Sequence, residues 1–201
     1  VYGSPFYLPI DEKHSTQPIN PYGDTKLTTE KLIYNYSKAY ELNFISLRYF
    51  NVSGSDFLNK IGEAHNPETH VIPLALASIK ENNVFKIYGD DYNTKDGTCI
   101  RDFIHVKDLG DAHLLSFKKL LSSGVNKFIN VGCGKGFSIY EIIESVKEVT
   151  NMQLLTSVVK RRVGDPDVLI SNIDKAKKLL GWKPKYSDIN LIISDSWNWY
   201  K

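Results

Sequence analysis

Helix-like and strand-like segments alternate along this chain, and that alternation restricts the possible folds more than any single residue does. From Pro21 to about Leu42, Leu32, Ile33, Tyr36, Ala39 and Tyr40 recur on one helical stripe, which Tyr22, Lys26 and Thr29 extend toward the N-terminus. This stripe is expected to face inward, and Pro21 suits a first helical turn. The run from Phe44 to Phe50 is short, apolar and aromatic, and it reads as a buried strand ending at Asn51 and Gly54. A helix feeding a buried strand, repeated several times, predicts an α/β protein.

The repetition continues to the end of the sequence. A polar loop from Gly54 to His70 leads into a helix over about 71–80, a strand over 84–88, a turn-rich stretch over 89–98 and a strand over 100–106. Then come a helix over 107–121, a strand over 128–131, a helix over 138–150, a weaker strand over 154–159, and helices near 174–180 and 188–200.

Charge and cysteine content narrow the function. The 201 residues hold 25 Lys+Arg against 23 Asp+Glu, a formal charge of +2, so a nucleic-acid partner is not expected. Cys99 and Cys133 are the two cysteines; they lack metal-ligand spacing and do not make a disulfide framework, so neither structural zinc nor any other metal is expected. No stretch approaches the roughly 20 apolar residues of a membrane span, and the opening VYGSPFYLPI is unlike a signal peptide. A soluble cytoplasmic protein with no membrane partner is expected. Because the chain opens on Val1, inside a motif, it is expected to be the later part of a longer protein.

Four patterns bear on chemistry. Tyr22 and Lys26, four residues apart at a helix start, set a phenol and an ammonium on one face, and a nearby ammonium favours a tyrosinate able to accept a proton. Tyr34 and Lys38 repeat the spacing in mid-helix, so position and not spacing distinguishes the first pair. Gly132-Cys-Gly-Lys-Gly136 follows a strand and opens a helix as a dinucleotide loop does, but Phe137 stands where the third glycine would be. A tight turn is the better reading. Arg101 enters a strand, while Lys160-Arg161-Arg162 precedes Gly164-Asp165-Pro166; two arginines near glycine-bearing turns suit a diphosphate, with a carboxylate for sugar hydroxyls. His70, His105 and Asp108 lack the elbow and nucleophile of a hydrolase.

Taken in order, Val1-Tyr-Gly, Asn20-Pro-Tyr-Gly-x-x-Lys26, Arg48-Tyr-Phe-Asn-x-x-Gly54, the stretch from Tyr88 through Asp96-Gly-Thr98, Arg101-Asp-x-Ile-His-Val106, Arg161-Arg-x-Gly-Asp165 and Leu180-Gly-Trp182 resemble the UDP-glucose 4-epimerases of the extended short-chain dehydrogenase family. The resemblance covers essentially the whole chain. It implies the C-terminal part of a Rossmann-type doubly wound parallel sheet plus a smaller α/β substrate-binding domain. The tail of the NAD domain would occupy residues 1–52 and the UDP-sugar domain 53–201, with the strand 127–131 left open to a return into the Rossmann sheet. The Gly-rich NAD loop and a catalytic Ser or Thr would lie upstream, so the 201 residues alone are expected to be inactive.

The resemblance also implies roles. Tyr22 would be the proton acceptor for the sugar 4-hydroxyl, Lys26 would bind the nicotinamide ribose of NAD, and Phe50 would pack near the nicotinamide. Asn51, Arg101 and Arg162 would contact the diphosphate and Asp165 the uridine ribose. Lys86 and Tyr88 would lie beside the uracil, with Val71 at a position where leucine is usual and Leu169 lining the sugar pocket. Phe103 stands where the family often has tyrosine, and Cys99 where a small residue is common. The implied reaction interconverts UDP-glucose and UDP-galactose in a homodimer packed through helices, one of them the Pro21 to Leu42 helix with Tyr34 and Tyr36. A neighbouring UDP-sugar epimerase and a non-catalytic nucleotide-sugar binder are the alternatives.

Overall fold

The computed structural model of the protein describes residues 1–58 and 60–201. Its elements in order are α1 (Pro21–Tyr40), β1 (Phe44–Tyr49), β2 (Asn51–Ser53), α2 (Val71–Lys80), β3 (Phe85–Tyr88), β4 (Ile100–Arg101), β5 (Phe103–His105), α3 (Val106–Ser123), β6 (Asn126–Val131), β7 (Phe137–Ser138), α4 (Ile139–Thr150), β8 (Thr156–Val159), β9 (Val168–Leu169), α5 (Asp174–Leu180) and α6 (Ile189–Tyr200). The long periodic segments match expectation. The short strands β2, β7 and β9 were not anticipated, because two or three residues carry no periodicity to read.

Four strand pairings are parallel, as the alternation of elements requires. β1 pairs with β6, β2 with β5, β3 with β8, and β4 with β9, while β7 joins β4 in antiparallel fashion. The expected single strand over 100–106 is two strands interrupted at Asp102. Among the described residues no helix is long and apolar enough to cross a membrane.

Two apolar cores flank β5, whose period-2 geometry serves both. Phe103 points into a core made with α2, β3, α4 and α6, and Ile104 into a second core with α3, β6, α5 and Trp182. Phe103 is 2% exposed, so its ring is a packing residue in the first core. Several helix starts are fixed by side chains: Asn20 accepts from the Gly23 amide, Ser138 and Glu141 form a reciprocal capping box, and Asp188 accepts from the Asn190 and Leu191 amides.

α1 departs from expectation. The residues it buries are Gly23, Glu30 and Ser37, seven apart, whereas Leu32, Ile33, Tyr36 and Tyr40 are exposed. Over Tyr36 and Tyr40 the expected inward stripe faces outward, because the face toward β1 is committed to a charge. Arg48 of β1 donates to both carboxylate oxygens of Glu30, at 2.8 and 2.7 Å, and turns that side of the helix toward the strand.

His105 follows the two core-facing residues of β5 and is fully buried. Its Nδ1 accepts the Lys107 amide at 3.1 Å and so caps α3, which leaves Nε2 to donate to Asp195 of α6 at 3.1 Å. Burial lowers the His105 pKa, and the charge and hydrogen bond of Asp195 only partly oppose this. The unfolded chain, titrating near pH ~6.5, therefore binds more protons than the folded one, and stability rises with pH through that window. Urea unfolding between pH 5 and 8 should show stability falling as pH drops below about 6.5. His105→Gln should flatten this slope while costing stability at pH 8.

Candidate functional site

A cavity of about 1050 Å³ opens where the start of α1, the ends of β1 and β2, the loop into α2 and the 164–169 segment converge. Its volume lies at the upper end of the roughly 300–1,000 Å³ typical of small-molecule sites. Tyr22, Lys26, Phe50, Asn51, Asp165 and Leu169 all line it. Val71, Lys86, Tyr88, Arg101 and Arg162 do not.

The phenol of Tyr22 is 70% exposed, and the Lys26 ammonium lies 5.1 Å from its ring centroid. Lys38 takes the same position over Tyr34 at 5.5 Å, so helical spacing alone produces the pairing. Location separates the two, since only the first pair faces the cavity. Among the described residues, neither the Tyr22 hydroxyl nor the Lys26 ammonium is engaged in a hydrogen bond or ion pair.

Arg101 and Asp165 are brought together from distant parts of the chain. β4 pairs Arg101 with Leu169 of β9, and the guanidinium approaches Asp165 at 3.6 Å. Arg101 is 8% exposed and also donates to the Ile100 carbonyl at 2.9 Å, so its fork is held behind the cavity wall that Asp165 and Leu169 form. Arg162 instead lies over the Tyr88 ring at 4.0 Å, and Lys86 projects from the same exposed face of β3. Val71 begins α2 and packs against the first core. The residues assigned to the nucleotide thus fall into one group on the cavity and a second on the β3 side.

Two anchors that were not singled out in the sequence hold these walls. The first runs from Glu30 through Arg48 to Tyr2, whose hydroxyl accepts from Arg48 at 2.9 Å and donates to Asn130 of β6. Burial opposes the Arg48 charge, but the hydrogen bonds and charges of Glu30 and Tyr2 outweigh it and hold the pKa above its usual value. Burial pushes the Tyr2 phenol up to about 12 against the pull of Arg48. The signal was a mid-helix acid on α1 and a lone arginine in an apolar strand, neither expected to stay unpaired inside.

The second anchor is Asp102, fully buried between β4 and β5. Its carboxylate accepts from the amides of Cys133, Gly134 and Ser171 and from the Ser171 hydroxyl. The amides of the glycine loop after β6 thus serve an internal carboxylate, which agrees with reading Gly132 to Gly136 as a turn. A Cβ at Gly132 would come within 2.6 Å of that carboxylate, so the approach needs glycine.

The sequence pattern of the NAD dependent epimerase/dehydratase family matches residues 1–132. The chain belongs to that family. It is 45% identical to the UDP-glucose 4-epimerase of Halalkalibacterium halodurans over all of this chain and 60% of that protein. Among solved structures it resembles the UDP-glucose 4-epimerase of Brucella ovis in complex with NAD, with 45% identity, a TM-score of 0.93, and coverage of 98% of this chain and 61% of the other. The Bifidobacterium longum UDP-glucose 4-epimerase in complex with NAD+ and UDP gives 34% identity, a TM-score of 0.93, and coverage of 99% and 60%. The chain spans about 60% of the length of the curated relatives it matches. The family's doubly wound α/β class is the one anticipated from the sequence.

Replacing Asp102 should expose how much the walls depend on it. Asp102→Ala leaves three backbone donors without this acceptor and should cost about 3 kcal/mol or more in urea unfolding. Asp102→Asn, which keeps one acceptor oxygen, should lose distinctly less.

Proposed function

We propose that this chain carries the catalytic tyrosine and the sugar-nucleotide wall of an NAD-dependent enzyme that interconverts UDP-glucose and UDP-galactose through a 4-keto sugar. The carrying observation is the unengaged Tyr22 and Lys26 pair on the wall of a large cavity that also presents Asn51, Asp165 and Leu169. The residues present suit the cofactor: an exposed ammonium for ribose hydroxyls, a phenol beside it and the half-buried Phe50 ring for a flat heterocycle. NAD, when bound, supplies a reversible hydride acceptor at the sugar C4. Tyr22 takes the proton from the 4-hydroxyl and returns it to the same oxygen after the sugar has turned over, so no net redox change results. Lys26 holds the ribose and places its charge over the phenol ring.

The substrate wall is assigned on the family resemblance, and the placement of Asn51, Asp165 and Leu169 on the cavity supports it. Asp165 accepts from ribose hydroxyls and Asn51 donates to the diphosphate; Arg101, turned to Asp165 and the Ile100 carbonyl, and Arg162, over the Tyr88 ring, would swing to the diphosphate as it binds. Lys86 and Tyr88 flank the uracil, Val71 supports the start of α2 beneath the nucleotide, and Leu169 limits the space beside the sugar. Residues 1–52 form the tail of the NAD domain and 53–201 the UDP-sugar domain; the parallel pairing of β1 with β6 supports the return of the latter strand to the NAD-domain sheet. The outward apolar stripe of α1, with Tyr34 and Tyr36, supports a homodimer packed through that helix. Two free thiols support a cytoplasmic setting.

The test joins this chain to the segment that its longer relatives carry. Tyr22→Phe should leave UDP binding nearly intact and lower turnover of UDP-galactose by roughly 10²-fold or more, as loss of a positioned proton acceptor does. Tyr34→Phe, with the same helical geometry away from the cavity, should be close to neutral. Equal losses in the two variants would overturn the role of Tyr22. In calorimetry, Arg101→Ala and Arg162→Ala should each weaken UDP binding by about 1.5–3 kcal/mol and uridine binding far less. Leu169→Ser should admit the bulkier N-acetylated UDP-hexoses.

A further inference from the structure

The loop between β2 and α2 contains one short pattern twice, Glu63-Ala-His65 and Glu68-Thr-His70. The fold gathers all four side chains at one point, so that one ligand atom from each lies within 4.8 Å of the others. His70 Nδ1 is 2.6 Å from Glu63 Oε1 and 2.9 Å from Glu68 Oε1, while His65 Nδ1 is 2.9 Å from Glu63 Oε1 and 4.0 Å from Glu68 Oε2.

Protein hydrogen bonds do not satisfy this cluster. Each neutral imidazole has a single N–H, so two rings cannot serve every carboxylate oxygen they approach. Glu68 Oε1 already accepts the Thr69 and His70 amides, whereas Glu68 Oε2 is buried and has no hydrogen-bond partner among the described residues. A buried carboxylate oxygen left unpaired is costly. The charge is also felt across the interface with α6: burial raises the Tyr200 phenol pKa, and Glu68 and Glu63 raise it further.

We propose that Glu63, His65, Glu68 and His70 form a site for one divalent first-row transition metal of the zinc class. A dication would give the unpaired Glu68 oxygen a partner and match the two carboxylate charges. Two imidazole nitrogens with two carboxylate oxygens suit such a borderline ion, whereas calcium and magnesium favour all-oxygen shells. The sequence expectation of no metal rested on cysteine spacing, and these ligands are of another kind.

The loop is anchored for this purpose at both ends. Trp199 of α6 lies against Gly62, where a Cβ would come within 2.3 Å of the indole, and its Nε1 donates to the Glu63 carbonyl at 3.0 Å. At the other end His70 is the residue before α2. Because Glu63, His65 and His70 also line the large cavity, the metal would fasten that wall. The site does not depend on the epimerase reading, and its test involves no turnover.

The test titrates the 201-residue chain with Co²⁺ and Zn²⁺. One equivalent of Co²⁺ should bind with the visible d–d absorption of a four-coordinate site, be displaced by Zn²⁺ and resist a large excess of Ca²⁺ or Mg²⁺. His65→Asn and Glu68→Gln should each weaken Zn²⁺ binding by roughly tenfold or more, with circular dichroism reporting that the chain is folded. His113→Asn, an exposed histidine on α3, should leave binding unchanged. In the unaltered chain, Zn²⁺ should protect His65 and His70 from diethyl pyrocarbonate, read by peptide mass mapping. The proposal is overturned by absence of saturable binding, by equal affinity for Ca²⁺, by binding indifferent to both substitutions, or by labelling of both histidines unaffected by Zn²⁺.

Discussion

The arrangement of the cavity rests on one carboxylate. Asp102 stands where β4 hands over to β5, and its four accepted hydrogen bonds reach the turn after β6 and the segment after β9. Those contacts fix the strand carrying Arg101 against the strand carrying Leu169, and they fix β5, from which both cores are built. A buried carboxylate is tolerable there because backbone amides surround it. A change at Asp102 is therefore felt on the substrate wall and in packing at once.

Glu30 and Arg48 play the matching role for the other wall. Their paired hydrogen bonds hold α1 to β1 by its polar side, and Tyr2 and Asn130 carry the connection to β6. The helix that bears Tyr22 and Lys26 is thus oriented by a charge pair and not by an apolar seam. Tyr22 and Lys26, at its start, stand on the open wall of the cavity.

Much of this was legible in the sequence, and the failures have physical causes. Helices with many turns announce themselves by period, so α1, α2, α4 and α6 were placed to within a residue or two. Which side of α1 is buried was misread, because periodicity reports a stripe without saying what will cover it. A three-residue strand such as β2 is set by its partner β5, which lies some fifty residues further along. For the site, Tyr22, Lys26, Phe50, Asn51, Asp165 and Leu169 were named from the sequence and share one cavity. Asp102 and Glu30 were passed over because their importance lies in partners contributed by other elements. The twofold Glu-x-His pattern has no metal-ligand spacing of its own in the sequence, because its four side chains meet only when the loop folds back on itself.

The parallel pairings bear on how the chain reaches its folded state. Phe44 and Asn126, at the start of the β1–β6 ladder, are 82 residues apart, and Tyr2 meets Asn130 across 128. Neither contact can form until a large loop has closed, and closing it costs entropy before any strand bond compensates. During synthesis, α1 and β1 emerge long before the strand and asparagine that will receive them. The apolar side of α1 and the edge of β1 that will receive β6 accordingly stay exposed until that strand is made, and shielding them in that interval would favour correct folding.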